Sequence, residues 1–355
     1  MDRDEMLKLI DKYKASDLHI TVGSPPVMRI NGKIVRMGDK LLTSEDTAMM
    51  IQSLLTNSAL KERLEQEGEV DFAFSKSNLG RYRVNVFKQR NTYAAAIRVL
   101  PIDVPTMEEL HLPTQILEGL ADNKKGLVLV TGPTESGKTT TLAAMIDHIN
   151  CNKAYHILTL EDPIEYRHKH KNSIINQREI GVDAKSYHTG LRAALRQNPD
   201  IILIGEMRDA QTIATAITAA ETGHLVLSSL HTMGAVETID RILDVFPGDQ
   251  QNQVRAQLSK ILKGVISQQL IPSKDKKERC LAMEIMMNTP AISNLIREGK
   301  MHQIYSQIQM GNKFGMQTMN QALAELCHLG KIDLQTAKAY SENPDELQEI
   351  QGAKK

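Results

Sequence analysis

The run Gly132-Pro133-Thr134-Glu135-Ser136-Gly137-Lys138-Thr139 matches the pattern G-x-x-x-x-G-K-[ST]. Such a loop cradles phosphates, because its backbone N–H groups and the N-terminus of the following helix converge on one anion. The flanks suit that chemistry. Leu127–Val130 reads as an apolar strand, and Thr140-Thr141-Leu142-Ala143-Ala144-Met145-Ile146 is a run of helix formers. Lys138 is placed to reach the β- and γ-phosphates of a nucleotide, and the Thr139 hydroxyl to hold Mg²⁺. Residues Gly132 to Thr140 are the expected nucleotide-binding segment. Glu135 puts a carboxylate into a loop built for anions. The cost is small if the side chain points to solvent, and falls on nucleotide affinity if it points inward.

Three further clusters carry chemistry. In Asp200-Ile201-Ile202-Leu203-Ile204-Gly205-Glu206, an apolar strand ends in a carboxylate. Beside a P-loop, such a residue can support Mg²⁺ or polarise the attacking water, and Glu206 is assigned to the water. A solvent-facing glutamate in a turn is the bland alternative. Glu161, Asp162 and Glu165 follow a second apolar strand, although Asp162-Pro163 would also serve as a plain turn. Ligand groups in α/β sheets gather beyond the carboxyl ends of the strands, which favours the functional reading. His224 and His231 bracket a third apolar run, Leu225–Leu227. His231 has the strand-end placement of the other clusters and reads as a γ-phosphate sensor or a partner of Glu206. For His224 a structural role is equally open. Arg81, Arg83 and Arg98 lie on strand candidates far from the P-loop in sequence. Phosphoryl transfer gains about 10³–10⁵ from a positioned arginine, yet within one chain these read first as solvated strand faces.

Elements must hold these groups. Residues 2–15 show helical spacing, Leu18–Val22 reads as a strand, and Val27–Arg36 as a hairpin turning at Asn31-Gly32. Thr43-Ser44 opens a helix to Leu55, a charged helix runs to about Glu67, and Arg81–Phe87 and Tyr93–Leu100 are strand candidates. Tyr82, Val84 and Val86 share the buried face of the first of these. Residues 1–100 are thus expected to form a small α+β domain, 101–112 a Pro-punctuated linker, and 113–355 an α/β domain. In the latter, Gly126–Val130, His156–Leu160, Ile201–Ile204 and Leu225–Leu227 alternate with helices, as in a parallel sheet. Beyond Gln250 the reading is helical, with an amphipathic pattern from Val254 through Val265-Ile266. Lys274–Lys277 reads as a solvated loop.

The chain has 355 residues, 43 basic and 43 acidic, for a net charge of zero. That balance argues against a protein held to nucleic acid or anionic lipid by bulk charge. No apolar run spans a membrane, and the charged N-terminus shows no secretory signal. The three cysteines, Cys151, Cys280 and Cys327, are far apart, which speaks against a zinc or disulfide framework and fits a reducing cytosol.

The four boxes in this order resemble those of the secretion ATPase superfamily. The likeness to its type IV pilus retraction ATPases runs nearly full length, from Ala15-Ser16-Asp17-Leu18-His19 through Gly80-Arg81-Tyr82-Arg83-Val84-Asn85 to Gly315-Met316-Gln317-Thr318-Met319-Asn320. The resemblance implies a PAS-like first domain, a RecA-like second domain with C-terminal helices, and a homohexameric ring with ATP and Mg²⁺ between subunits. It implies that Arg83 and Arg98 reach the active site, that Glu165 supports the metal or the neighbouring arginines, and that His231 couples the γ-phosphate to ring movement. It further implies a cytoplasmic protein at the inner membrane, acting on a pilus platform protein and on no nucleic acid. Extension ATPases of the superfamily carry a four-cysteine metal site and a longer N-terminal region, which this chain lacks. Two positions depart from the retraction pattern. Relatives show Gly where Glu135 stands, and Ala-Ile-Arg-Asn-Leu-Ile where Ala291-Ile292-Ser293-Asn294-Leu295-Ile296 stands. These departures keep open a second reading, an accessory paralogue or weakly catalytic regulator acting on a partner ATPase.

Overall fold

The computed structural model describes residues 1–353 except 31, 77, 78, 102 and 276. Asn31 of the expected hairpin turn, Ile102 of the expected linker and Lys276 of the lysine-rich loop lie outside the described residues. The chain divides into two compact units, Met1–Asp103 with Pro163–Arg167, and Val104–Asp162 with His168–Lys355.

The first unit runs α1 (Arg3–Tyr13), β1 (Asp17–Ile20), β2 (Val27–Ile30), β3 (Lys33–Arg36), α2 (Ser44–Leu54), α3 (Ser58–Glu67), β4 (Glu69–Lys76), β5 (Gly80–Gln89) and β6 (Thr92–Leu100). The strands form one antiparallel sheet in the order β3-β2-β1-β6-β5-β4. Asp2 and Thr43 start α1 and α2 through capping boxes, each side chain satisfying an otherwise orphaned amide. Met6, Leu7 and Ile10 of α1 and Met50, Ile51 and Leu54 of α2 share one core with Tyr82, Val84 and Val86 of β5. Each such side chain contributes about 1.5–3 kcal/mol through burial. Strand β4 is not identified in the sequence reading, although Val70 and Phe72 alternate onto the buried face.

The second unit continues with α4 (Thr114–Ala121), β7 (Gly126–Thr131), α5 (Lys138–Asn152), β8 (His156–Glu161), β9 (Ile174–Glu179), α6 (Tyr187–Ala194), β10 (Ile201–Ile204), α7 (Ala210–Thr222), β11 (Leu225–Leu230), α8 (Ala235–Asp244), α9 (Gly248–Ile261), β12 (Leu262–Pro272) and β13 (Arg279–Met287). Helices α10 (Pro290–Glu298), α11 (Ile304–Gln309), α12 (Met319–His328), α13 (Leu334–Tyr340) and α14 (Pro344–Ala353) complete it. The sheet order is β13-β12-β7-β11-β10-β8-β9, parallel except for the antiparallel pair β12–β13. Side chains of β7 alternate between two cores, Leu127 and Leu129 into one and Val128 and Val130 into the other. A sheet covered on both faces explains why its strands are continuous apolar runs.

One expectation is corrected here. The amphipathic helix read through Val265-Ile266 ends at Ile261, and Val265 and Ile266 lie on β12, paired with Leu129 and Val130 of β7. A short apolar run satisfies both the helical and the strand period. Close packing decides: a Cβ at Gly264 would stand 3.1 Å from the Leu120 side chain and from the Met286 carbonyl. Met107 and Leu112, within the expected linker, are buried in the core of the second unit.

Candidate active site

The site is built at the carboxyl ends of four neighbouring parallel strands. From β7 outward the order is β11, β10, β8, so Lys138 at the start of α5, His231 and Glu206 just past β11 and β10, and Glu161 at the end of β8 all lie at the carboxyl ends of adjacent strands. The loop after β7 depends on glycine. Gly132 has φ 138°, and a Cβ there would stand 2.2 Å from the Gln268 carbonyl oxygen. Gly137, at φ 93°, turns the chain into α5. Glu135 also takes a left-handed conformation, φ 65°, which costs a non-glycine residue about 1 kcal/mol or more. The residue is exposed. Thr139 is exposed at the start of α5.

Lys138 is buried, and its Nζ donates to the carbonyls of Gly132 and Pro133 at 2.8 Å each. The same ammonium lies 3.4 Å from His231 Nδ1. On the far side of the ring, His231 Nε2 lies 3.3 Å from Glu206 Oε1. Arg208 holds the other Glu206 oxygen at 2.7 Å. Burial pushes the Glu206 carboxyl up, but the Arg208 hydrogen bond and charge, helped by His231, outweigh it and hold the group below its ordinary value. Gly205 before it lies under Tyr187, whose hydroxyl would meet a Cβ at 2.9 Å. Burial, and then the carboxylates of Asp162, Glu206 and Glu161, push the Tyr187 phenol up, so it stays a neutral donor. Ser228 and Ser229 of β11 donate to the carbonyls of Ile204 and Gly205 at 2.8 and 2.6 Å, pinning the strand end that presents Glu206.

Glu161 is buried at the end of β8 and accepts from Thr159 Oγ1 at 2.6 Å and Gln177 Nε2 at 3.0 Å. Asp162 beside it is exposed. Glu165 belongs to the segment Pro163–Arg167, which clusters with the first unit. His224 stands before β11, at the opposite end of that strand from His231, and its Nδ1 donates to the Ala219 carbonyl at 2.9 Å. A six-residue strand spans about 20 Å, so His224 is not brought to the Lys138–His231–Glu206 group. Arg83 and Arg98 face each other across β5 and β6 in the first unit. There Arg83 pairs with Asp71 at 2.6 Å and Arg98 with Asp17 at 2.9 Å.

A cleft of about 1190 Å³ is lined by Ser136, Gly137, Thr140 and Thr141 of the loop and α5, together with Leu112, Leu270 and Arg279. Gln268 lies in its wall and donates to Thr141 at 3.0 Å. Arg208, Tyr187 and Gln268 are absent from the sequence reading of the site. Arg208 follows Glu206 by two residues and could have been found there. Tyr187 and Gln268 reach the site only through tertiary packing.

A glycine-dependent anion loop, its lysine, and a carboxylate and histidine on adjacent strand ends define a P-loop nucleotide-binding protein. Residues 2–351 match the Type II/IV secretion system protein family, and the chain belongs to that family. It is 46% identical to the type IV pilus retraction ATPase PilT of Pseudomonas aeruginosa, over 97% of this chain and 99% of that protein. It is 40% identical to the type IV pilus ATPase PilU of the same organism, over 98% of this chain and 90% of that one. A crystal structure of the pilus retraction motor PilT with bound ADP superposes with a TM-score of 0.91 at 49% identity, covering 98% of this chain and 99% of that one.

Proposed function

We propose that this protein is an ATP hydrolase whose turnover drives type IV pilus retraction and twitching motility. The observation that carries the reading is the Lys138–His231–Glu206 group at adjacent strand ends, in a chain 46% identical to a pilus retraction ATPase over 97% of its length. Loop amides from Gly132 to Thr140 take the phosphates, with Lys138 on the β- and γ-phosphates. The cleft beyond Thr141 takes the ribose and base. Glu206 orients the attacking water and accepts its proton. His231, in contact with both Lys138 and Glu206, reports the γ-phosphate to the loop that carries it.

The residues present also fit Mg²⁺. Among the described residues no three His, Cys, Asp or Glu side chains form a metal cluster. A hard cation here would therefore take oxygen from the Thr139 hydroxyl, the phosphates and water, with Glu161 and Glu165 in support. When bound, it neutralises charge developing on the phosphate oxygens.

The working form is a homohexamer with ATP between subunits. Arg83 and Arg98 of one subunit serve the nucleotide of the next, exchanging their Asp71 and Asp17 partners for phosphate. The ring acts at the cytoplasmic face of the inner membrane on a pilus platform protein. Among the described residues no helix is long and apolar enough to cross a membrane.

Mg-ATP hydrolysis across a dilution series tests this, with Glu206→Gln as control. Activity per subunit collapses on dilution if arginines act in trans, and the control is inactive. Turnover independent of concentration would refute the trans arginines. A second reading is an accessory pilus ATPase of the PilU kind. The 40% identity to PilU supports it, as does Ser293, whose hydroxyl turns onto the Ser259 carbonyl of α9 at 2.7 Å. Pilus retraction that survives Glu206→Gln in cells would favour it.

A further inference from the structure

The loop that carries His231 leads into α8 without a cap of its own. Gly234 is the N-cap residue, at φ 91°, and has no side chain to accept the orphaned amides. They are satisfied from other elements. Gly234 N–H donates to Ser267 Oγ of β12 at 2.9 Å, and Ala235 N–H to Glu284 Oε1 of β13 at 2.8 Å. Thr232 and Thr238 close the loop through their hydroxyls at 2.8 Å, and Thr238 also donates to the Gly234 carbonyl at 2.6 Å.

Glu284 is 5% exposed. A buried carboxylate ordinarily needs a cation. The groups facing this one are the amides of Ala235 and Met319 and the carboxylates of Glu342 and Glu346. Ala235 opens α8 and Met319 opens α12, so the charge is held by two helix N-termini. Desolvation pushes the group up, and the two carboxylates push the same way. A glutamine or an apolar residue would be cheaper for stability alone. The costly group sits where one side chain can tie the histidine loop to the first turn of α12.

We infer that Glu284 is a positioning residue for His231: it supplies the cap that α8 lacks and fixes the segment His231–Gly234 against β12, β13 and α12. The inference rests on the hydrolase reading for the role of His231. Nucleotide phosphates are held by a different loop, so loss of the cap acts on turnover and not on binding.

The test uses the full chain with Glu284→Ala, Glu284→Gln and Glu284→Asp, read by kcat, KM for Mg-ATP, ADP affinity and hydrogen exchange of residues 231–238. Glu284→Ala is expected to lower kcat by about tenfold or more, leave ADP affinity within about threefold of the parent, and speed exchange over 231–238. Glu284→Gln, whose amide oxygen still accepts from Ala235, is expected to recover most of the turnover. If Glu284→Ala does not fold, Glu284→Asp decides, because it keeps the charge and shortens the reach by one methylene. Parent-like kcat and exchange in the folded Ala or Asp variant would overturn the inference. So would a loss of kcat and ADP affinity in step that Gln fails to rescue. If the parent chain binds nucleotide but never hydrolyses it, the hydrolase reading fails, and the exchange difference alone still decides the role of Glu284.

Discussion

His231 Nε2 and Glu206 Oε1 stand 3.3 Å apart, and the other ring nitrogen faces the Lys138 ammonium at 3.4 Å. An ammonium can only donate, so Nδ1 accepts and Nε2 carries the proton that it gives to Glu206. The imidazole thereby bridges the lysine of the glycine loop and the carboxylate that follows β10. With Arg208 on the second oxygen at 2.7 Å, both Glu206 oxygens are engaged.

Arg208→Ala removes the stronger of the two contacts. Burial then dominates, and the Glu206 pKa rises toward or above its ordinary value. A base must be ionised to act, so the acid limb of the kcat/KM profile moves to higher pH. A pH–rate series on parent and variant checks this. An unmoved acid limb would mean that Glu206 is not the group titrating there.

Glu135→Gly removes a left-handed non-glycine residue and a carboxylate from the phosphate loop. The released strain, about 1 kcal/mol, is partly offset by the greater freedom of glycine in the unfolded chain. Stability is therefore expected to change by less than about 1 kcal/mol. ADP affinity rises a few-fold, because an exposed charge acts only weakly through solvent. Titration with a fluorescent ADP at low and high salt measures both the gain and its screening.

Arg83→Ala leaves the P-loop intact and is expected to keep nucleotide affinity within about threefold while turnover falls by about 10³. Mixed rings discriminate a role in trans. Arg83→Ala subunits combined with Glu206→Gln subunits regain activity, because each supplies what the other's site lacks. Two inactive pools that stay inactive when mixed would place Arg83 outside the neighbouring site.

His168 is a pH probe remote from this chemistry. Its side chain is 2% exposed, its Nδ1 has no hydrogen-bond partner, and burial lowers its pKa to about 4, only partly opposed by Asp147. The unfolded chain takes a proton near pH 6.5 and the native one does not. Stability is therefore unaffected above that value and falls by about 1.4 kcal/mol per pH unit between about 6.5 and 4. Melting curves of the parent should drop through this window, and those of His168→Leu should drop less.

The sequence carried much of this site because its chemistry is local. Lys138 and Thr139 belong to a contiguous loop, and Glu206 and His231 each follow a recognisable apolar run. The alternating face of β5 was equally plain in Tyr82, Val84 and Val86. What escaped depends on distant partners. Val265 and Ile266 suit a helix as well as a strand until β7 lies beside them. The cap of α8 requires Ser267 and Glu284, which no spacing rule connects to Gly234. Strand β9 lies on a sheet edge, and its polar Asn176, Gln177 and Arg178 hide the apolar period.

The residues Pro163–Arg167 cluster with the first unit although the chain around them belongs to the second. The polypeptide therefore passes between the units at two places, once near Asp103 and again by an out-and-back loop after Asp162. The first unit is therefore not one uninterrupted stretch of sequence: a chain cut after Asp103 would lack Ile164, whose carbonyl accepts from Arg81 Nε at 3.0 Å and Nη2 at 2.8 Å.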